Sequence, residues 1–173
     1  HAGGILYVGC DLEEPRTDAL RRSVRERDGH AWEDDSVELF LSPDPSRGYF
    51  QIVVGAGGGI YDRRGHDDPS AWDSGTKAAV AVGEGGWSVE AAVPLARMGA
   101  GERPPARWRA NVYRNRHAGP EGAQQAFSPT FSADYDVPER FGILHLVAGT
   151  TPPGDEPASR SPEASFRSIP RAI

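Results

Sequence analysis

The chain has 173 residues, of which 38% are hydrophobic and 25% charged, and this length suits one domain with a hydrophobic core. The formal net charge is −6, and no basic stripe alternates with aromatic residues, which argues against a nucleic-acid partner. No stretch reaches the ~20 apolar residues of a membrane-spanning helix, and the single cysteine, Cys10, excludes an internal disulfide.

Seven short apolar runs, each bounded by Gly, Pro, Asp or Ser, predict β-strands. They are, in chain order, ILYVG (5–9), SVELFLS (36–42), YFQIVVG (49–55), AAVAV (78–82), WSVEAAV (87–93), WRANVYR (108–114) and FGILHLV (141–147). The segment VGEGGW (82–87) predicts a hairpin turn, because glycine readily adopts the positive φ that tight turns require. Short strands at this spacing predict an all-β fold, an antiparallel β-sandwich of immunoglobulin-like or jelly-roll-like form.

Two short helical segments are predicted between the strands. Residues 17–27 place three apolar side chains on one side and begin with a threonine suited to N-capping. Residues 94–99, PLARMG, begin with Pro and end with Gly, as a single helical turn does. Residues 148–173 are rich in Pro, Ser and charge without periodicity, which predicts a linker or disordered tail. The folded domain is therefore expected to comprise residues 1–147.

The stretch HAWEDDSVELFLSP (30–43) places three acids before a strand and a fourth, Glu38, inside it. Strand alternation puts Glu38 on the face opposite Val37 and Leu39. A carboxylate there is costly to bury without a partner, so Glu38 is expected to face a cleft or an arginine, with Arg114 as a candidate. The alternative is an ordinary solvent-facing glutamate on the wet face of an antiparallel sheet.

Five motifs occur in the order found in family 9 carbohydrate-binding modules: AWEDDSVELFLSP, YFQIVV, GGWSVEAAVPL, WRANVYRN and PERFGILHL. The chain resembles that family from about Leu6 to Leu146. The resemblance implies a β-sandwich that binds plant-type polysaccharides or their oligosaccharides without cleaving them. It also implies attachment to a xylanase or another glycan-degrading protein, and an extracellular or periplasmic location.

In the family, a sugar lies between two aromatic side chains, and polar groups reach its hydroxyls. By position, the first aromatic corresponds to Trp32 and the strand carboxylate to Glu38. The second aromatic, a tryptophan in the family, corresponds to Tyr135. Three further residues are candidates for polar contacts to the sugar or for orienting Glu38: Arg114, Asn111 and Gln51.

Several family features are changed in this sequence. An arginine expected in the strand of YFQIVV is replaced by an apolar residue near Ile52, and a glutamine expected in the strand of NVYRN is replaced by Tyr113. Family members also carry a strand-bearing segment with an early tryptophan before LYV, so the resemblance implies a domain incomplete at its N-terminus. These departures leave open an alternative function, a sandwich without sugar binding that serves as a spacer or protein-contact module.

The tryptophans divide into loop and strand positions. Trp32 lies in a polar loop, where a binding role is favoured over capping of the sandwich end. Trp87 and Trp108 open strands in phase with apolar residues and are assigned to the core. Trp72 is loop-borne and could either offer a second sugar platform or pack over the sheet edge.

Two kinds of bound group follow from family resemblance. Family 9 modules often carry structural calcium, and Asp28, Asp34 and Asp35 are weak candidate ligands, although solvated acidic turns are the favoured interpretation. Related sandwiches bind haem through Met and His, a less favoured interpretation here. Met98 is the only methionine, and the histidines considered are His30, His66, His117 and His145.

Catalysis by this chain is not expected. Glycoside hydrolysis requires two carboxylates at a defined separation, and no pattern places Glu38 and Glu90 opposite one another. The cluster GHDDPSAWDSG contains His, Asp and Ser close in sequence, but a catalytic triad is defined by spatial geometry. Any hydrolase activity is therefore expected in another domain of a parent protein.

Overall fold

A computed structural model describes residues 1–100, 103–119, 123–132 and 134–147 of the chain. Within them nine β-strands form, numbered here in chain order. They are β1 (Ile5–Glu13), β2 (Ser36–Ser42), β3 (Phe50–Gly55), β4 (Ile60–Arg64), β5 (Lys77–Gly83), β6 (Gly86–Pro94), β7 (Arg107–Arg116), β8 (Ala123–Ala126) and β9 (Gly142–His145). The predicted tail at residues 148–173 lies outside the described residues.

The strands form two antiparallel sheets. The smaller sheet has the order β1-β6-β5, and the larger has the order β4-β3-β2-β7-β8, with β9 also paired to β7. β8 pairs with residues 113–116 of β7, whereas β9 pairs with residues 107–110. A single hydrophobic cluster contains side chains of both sheets, so the sheets pack face to face. This arrangement confirms the predicted antiparallel β-sandwich.

The core is filled by alternate residues of the facing strands. In β2, Val37, Leu39 and Leu41 turn inward, on the face opposite Glu38. In β6, Val89 and Val93 belong to the same cluster. Burying a Val or Leu side chain contributes about 1.5–3 kcal/mol, so this alternation fixes which face of each strand meets the core. The opposite face of β2 carries its polar residues.

Three tryptophans pack in or against the core. Trp87 and Trp108 are buried, which confirms their predicted assignment. Trp72 packs against Phe50, with ring centroids 4.9 Å apart, and its Nε1 donates to the Arg97 carbonyl at 3.2 Å. Of its two predicted roles, Trp72 therefore has the packing role, because it lies partly buried against the core cluster.

The predicted helix over residues 17–27 is wrong. Only Thr17–Ala19 forms a 3-10 turn, and Thr17 is not its cap. Further along, the Arg21 N–H donates to Asp35 Oδ2 at 2.9 Å, and the Asp35 N–H donates back to the Arg21 carbonyl at 3.0 Å. Backbone groups committed to a distant segment cannot join the i to i−4 ladder of a helix.

The other helical segments are also single 3-10 turns: Ala31–Glu33, Pro45–Arg47, Pro69–Ala71, Leu95–Met98 and Pro138–Arg140. The turn at 95–98 matches the prediction, and Gly99 closes it at φ 74°, a conformation that glycine adopts without a Cβ penalty. Met98 is buried in the core cluster, where it acts as a packing residue. In the part of the chain that the structure describes, no helix is long and apolar enough to cross a membrane.

Candidate functional site

A cleft of about 430 Å³ lies on the face of the larger sheet that is turned away from the smaller sheet. In four adjacent strands of this sheet, every second residue points into the core, and the residues between them form this face. The side chains that form the floor come from β2, β3, β4 and β7: Glu38, Phe40, Gln51, Tyr61, Arg63 and Asn115. Loop and turn residues, together with Gln124 of β8, form the walls.

Glu38 is the buried acid at the centre of the floor, with only 2% of its surface exposed. Its Oε2 accepts from Gln51 Nε2 at 2.7 Å, and its Oε1 accepts from Asn115 Nδ2 at 2.6 Å. Burial raises the pKa of Glu38, and the two amide donors oppose that rise. A carboxylate offers about four lone-pair sites, so two amide donors orient Glu38 and leave it capacity to accept further hydrogen bonds.

Arg63 extends this network from the neighbouring strand. Its Nε donates to Gln51 Oε1 at 2.6 Å, so Gln51 connects the guanidinium of Arg63 to the carboxylate of Glu38. Its Nη2 lies 3.7 Å from Asp136 Oδ2, which accepts the Tyr49 hydroxyl at 2.8 Å. The cleft therefore presents a guanidinium and two carboxylates in fixed positions.

Trp32 forms one aromatic wall from the turn Ala31–Glu33. Its ring meets Tyr61 edge to face, with centroids 4.5 Å apart and planes at 75°. His30 stacks against it at 4.7 Å and 24°, and the Trp32 carbonyl lies 3.3 Å from His117 Nε2. Buried Ala31 anchors the turn, which leaves Trp32 half-buried at the cleft edge.

Tyr135 forms a second aromatic wall, from a loop before β9. Its ring stacks in parallel on Tyr113, with centroids 4.2 Å apart and planes at 6°. Its hydroxyl donates to Asn115 Oδ1 at 3.2 Å. Burial, and then the charge of Glu38, raise the pKa of Tyr135, so its hydroxyl stays protonated and remains a hydrogen-bond donor.

Asp34 and Asp35 connect backbone segments beneath the cleft wall. Asp34 Oδ2 accepts the Val24 N–H at 2.7 Å, and its Oδ1 accepts from a serine hydroxyl at 2.8 Å. Asp35 Oδ2 accepts the Arg21 N–H at 2.9 Å, and its Oδ1 accepts the His117 N–H at 3.0 Å. Both acids are buried, and they fix the segments on either side of the turn that carries Trp32.

The candidate calcium ligands do not form one cluster. Each carboxylate oxygen of Asp34 and Asp35 accepts a hydrogen bond from the protein. Asp28 is exposed and lies at a left-handed turn with φ 62°, where partial desolvation, followed by the nearby charge of Asp62, raises its pKa. Over the described ranges, no group of three or more His, Cys, Asp or Glu side chains is arranged to hold a metal ion.

Four of the six predicted binding residues converge on the cleft, and two lie elsewhere. Trp32, Glu38, Gln51 and Tyr135 all line it. Asn111 instead holds Ser128: its Nδ2 donates to the Ser128 carbonyl at 2.7 Å, and its Oδ1 accepts the Ser128 N–H at 2.9 Å.

Of the two alternatives predicted for Glu38, it faces a cleft, and the candidate partner Arg114 lies elsewhere. The register of β2 and β7 places Tyr113 opposite Glu38, and Arg114 opposite the core residue Val37. Because alternate residues of a strand point to opposite faces, Arg114 lies on the inner face of the sheet. There its Nη2 donates to Glu14 Oε2 at 3.1 Å.

Sequence reasoning missed Arg63 and Asn115. Ile52 is fully buried, so the arginine that the family resemblance led us to expect in that strand has no counterpart in β3. Arg63 reaches the cleft from β4, a short charged strand that the sequence pattern did not predict. Asn115 could have been found by alternation, since it lies on the same face as Tyr113.

The fold resembles known structures, although the sequence matches no family. No protein-family model and no curated protein matches the sequence. A Bacteroides uniformis protein to which carbohydrate binding is ascribed has a similar structure, with a TM-score of 0.67, 19% identity, and coverage of 83% of this chain and 73% of that one.

Two structures of a family 9 carbohydrate-binding module from Caldicellulosiruptor kristjanssonii are also similar. The glucose complex gives a TM-score of 0.61 at 16% identity, covering 88% of this chain and 76% of that one. The cellotriose complex gives 0.58 at 16% identity, covering 91% and 76%. The chain therefore has the β-sandwich fold of the family 9 carbohydrate-binding modules.

Proposed function

We propose that the chain is a non-catalytic carbohydrate-binding module whose cleft on the larger sheet binds a plant-type polysaccharide, or an oligosaccharide or sugar end derived from one. The observation that carries this proposal is the position of Glu38, a buried and oriented carboxylate in a cleft walled by Trp32 and Tyr135. Sugar rings offer C–H faces that pack on aromatic side chains, and hydroxyls that need fixed donors and acceptors. The cleft offers both, because four aromatic residues and several polar or charged residues line it.

Each cleft residue has a distinct part in this proposal. Trp32 and Tyr135 pack against the sugar ring, and Glu38 accepts hydrogen bonds from its hydroxyls. Gln51 keeps Glu38 in place, while Arg63 donates to hydroxyls near the rim. The similar structures support a carbohydrate ligand, because the family 9 module among them is in complex with glucose or cellotriose.

The proposal assigns no catalytic step to the cleft. Hydrolysis of a glycosidic bond needs one carboxyl group as acid and a second as base or nucleophile across the bond. Both oxygens of Glu38 instead accept short amide hydrogen bonds, which suit a fixed acceptor. Hydrolase activity would belong to another domain of an extracellular or periplasmic parent protein.

The test is isothermal titration of the chain with xylan, cello-oligosaccharides, glucose and xylose, with and without calcium. We expect saturable heat that disappears in Trp32→Ala. The matched control is Trp72→Ala, which removes a loop tryptophan that packs on Phe50 outside the cleft, and it should retain binding. If a folded wild-type chain gives no heat with any of these ligands, the proposal fails and the spacer function is favoured.

A further inference from the structure

Phe131 is an unusual residue in the segment between β8 and β9. It is 86% exposed, and its backbone adopts φ 54°, the left-handed region that a bulky side chain rarely occupies. A strained backbone of this kind persists only where the surrounding structure holds it, and it is concentrated at functional sites. Here the strained conformation displays a phenyl ring to solvent.

The segment that carries Phe131 is held by hydrogen bonds on both sides. On one side, Asn111 brackets the Ser128 backbone at 2.7 and 2.9 Å. On the other, the Thr130 hydroxyl donates to the Asp134 carbonyl at 3.0 Å. These hydrogen bonds hold the backbone near Phe131, so its exposed ring is attached to a fixed part of the chain.

The same segment leads directly into the cleft wall. Asp134 and Tyr135 line the cleft. Phe131 and Asp134 are three positions apart in the chain, so their Cα atoms are at most about 11 Å apart, because consecutive Cα atoms are 3.8 Å apart. The hydrogen bond from the Thr130 hydroxyl to the Asp134 carbonyl holds the residue before Phe131 against Asp134. Phe131 therefore directly follows Thr130, a residue that contacts the cleft residue Asp134.

We infer that Phe131 is a second stacking platform, which packs against the neighbouring ring of a glycan chain whose first ring lies in the cleft. The inference rests on the proposed carbohydrate-binding function and specifies its ligand as an oligosaccharide of two or more rings. The apolar C–H face of that second ring covers the phenyl group and removes it from water, which favours binding. A monosaccharide held in the cleft does not reach Phe131.

The test is a titration series that compares a monosaccharide with its di- and trisaccharide, in both the glucose and the xylose series. Phe131→Ala should leave monosaccharide affinity unchanged and lower trisaccharide affinity about three- to tenfold, the size of one aromatic packing contact. Phe131→Trp should retain trisaccharide affinity. The matched control is Tyr7→Ala, which removes a 57% exposed aromatic from β1 of the other sheet and should change neither affinity.

Loss of stability in the variant would not obscure the result. Phe131→Gly removes the ring and also the strain of a bulky residue at positive φ, so it should fold at least as stably as wild type. It should show the same loss of trisaccharide affinity as Phe131→Ala. Wild-type trisaccharide affinity in Phe131→Ala and Phe131→Gly would overturn the platform while leaving the cleft intact. Failure of the wild-type chain to bind any saccharide would overturn the proposed function itself.

Discussion

Replacement of Asp35 by alanine tests whether the buried acids before β2 are structural. Asp35 is fully buried, and its carboxylate joins two segments that are remote in sequence. Oδ2 accepts the Arg21 N–H at 2.9 Å, across 14 residues, and Oδ1 accepts the His117 N–H at 3.0 Å, across 82 residues. Asp35→Ala removes both hydrogen bonds and leaves two partly buried N–H groups without their acceptor.

The expected cost follows from these two contacts. A hydrogen bond to a charged group contributes about 1.5–3 kcal/mol to stability. Two such bonds give about 3–6 kcal/mol, and we expect the lower part of this range because the two N–H groups are only partly buried. Since a domain of this size has a free energy of unfolding of about 5–15 kcal/mol, Asp35→Ala should remove a large part of it.

The assay is equilibrium unfolding in urea, followed by tryptophan fluorescence, with EDTA and separately with calcium. The matched control is Glu33→Ala, whose side chain is 66% exposed and which should change the free energy of unfolding by less than about 0.5 kcal/mol. A loss below about 1 kcal/mol in Asp35→Ala would refute the structural role argued from the hydrogen bonds. A loss seen with calcium but absent with EDTA would show instead that Asp35 acts as a metal ligand.

Three further predictions follow from the structure. Two concern how stability and sugar affinity change with pH at the buried acids Glu14 and Glu38, and the third concerns a close backbone contact at Gly86. Hydrogen bonds from Arg116 at 2.5 and 2.9 Å lower the pKa of Glu14, so its stabilisation is present above the ordinary glutamate pKa and disappears as the pH falls through the lowered value. Glu14→Gln should therefore cost about 3–5 kcal/mol at neutral pH and less in acid; an equal cost in acid and at neutral pH would contradict this. Burial raises the pKa of Glu38, so sugar affinity should fall in acid at a pH above the ordinary glutamate pKa, and titrations of Glu38→Gln should lack this acid limb. In Gly86→Ala the new Cβ would lie 2.5 Å from the Leu12 carbonyl oxygen, so thermal unfolding should show a loss of about 1–3 kcal/mol, whereas Gly83→Ala, with no atom within 4 Å, should not.

The local features of this fold could be predicted from the sequence. Alternation in SVELFLS placed Val37 and Glu38 on opposite faces, and the structure confirms it: Val37 lies in the core and Glu38 in the cleft. The glycines of VGEGGW predicted the hairpin that joins β5 to β6, and Gly85 adopts the expected positive φ of 78°. These features depend on residues next to each other in the chain, so a single segment contains the information.

Only the tertiary structure decided which partner each polar group has. Asp35 bonds to residues 14 and 82 positions away, and those bonds replace the helix that the pattern of residues 17–27 predicts. The register of β2 against β7 turns Arg114 inward and brings Asn115 to Glu38. A hydrogen-bond partner across a sheet depends on strand order and register, which are set by the packing of the whole sandwich. The sequence therefore predicted the face on which Glu38 lies and named Gln51 as a candidate to orient it. Its second amide donor, Asn115, and the Arg63 side chain were identified only once the strands were paired.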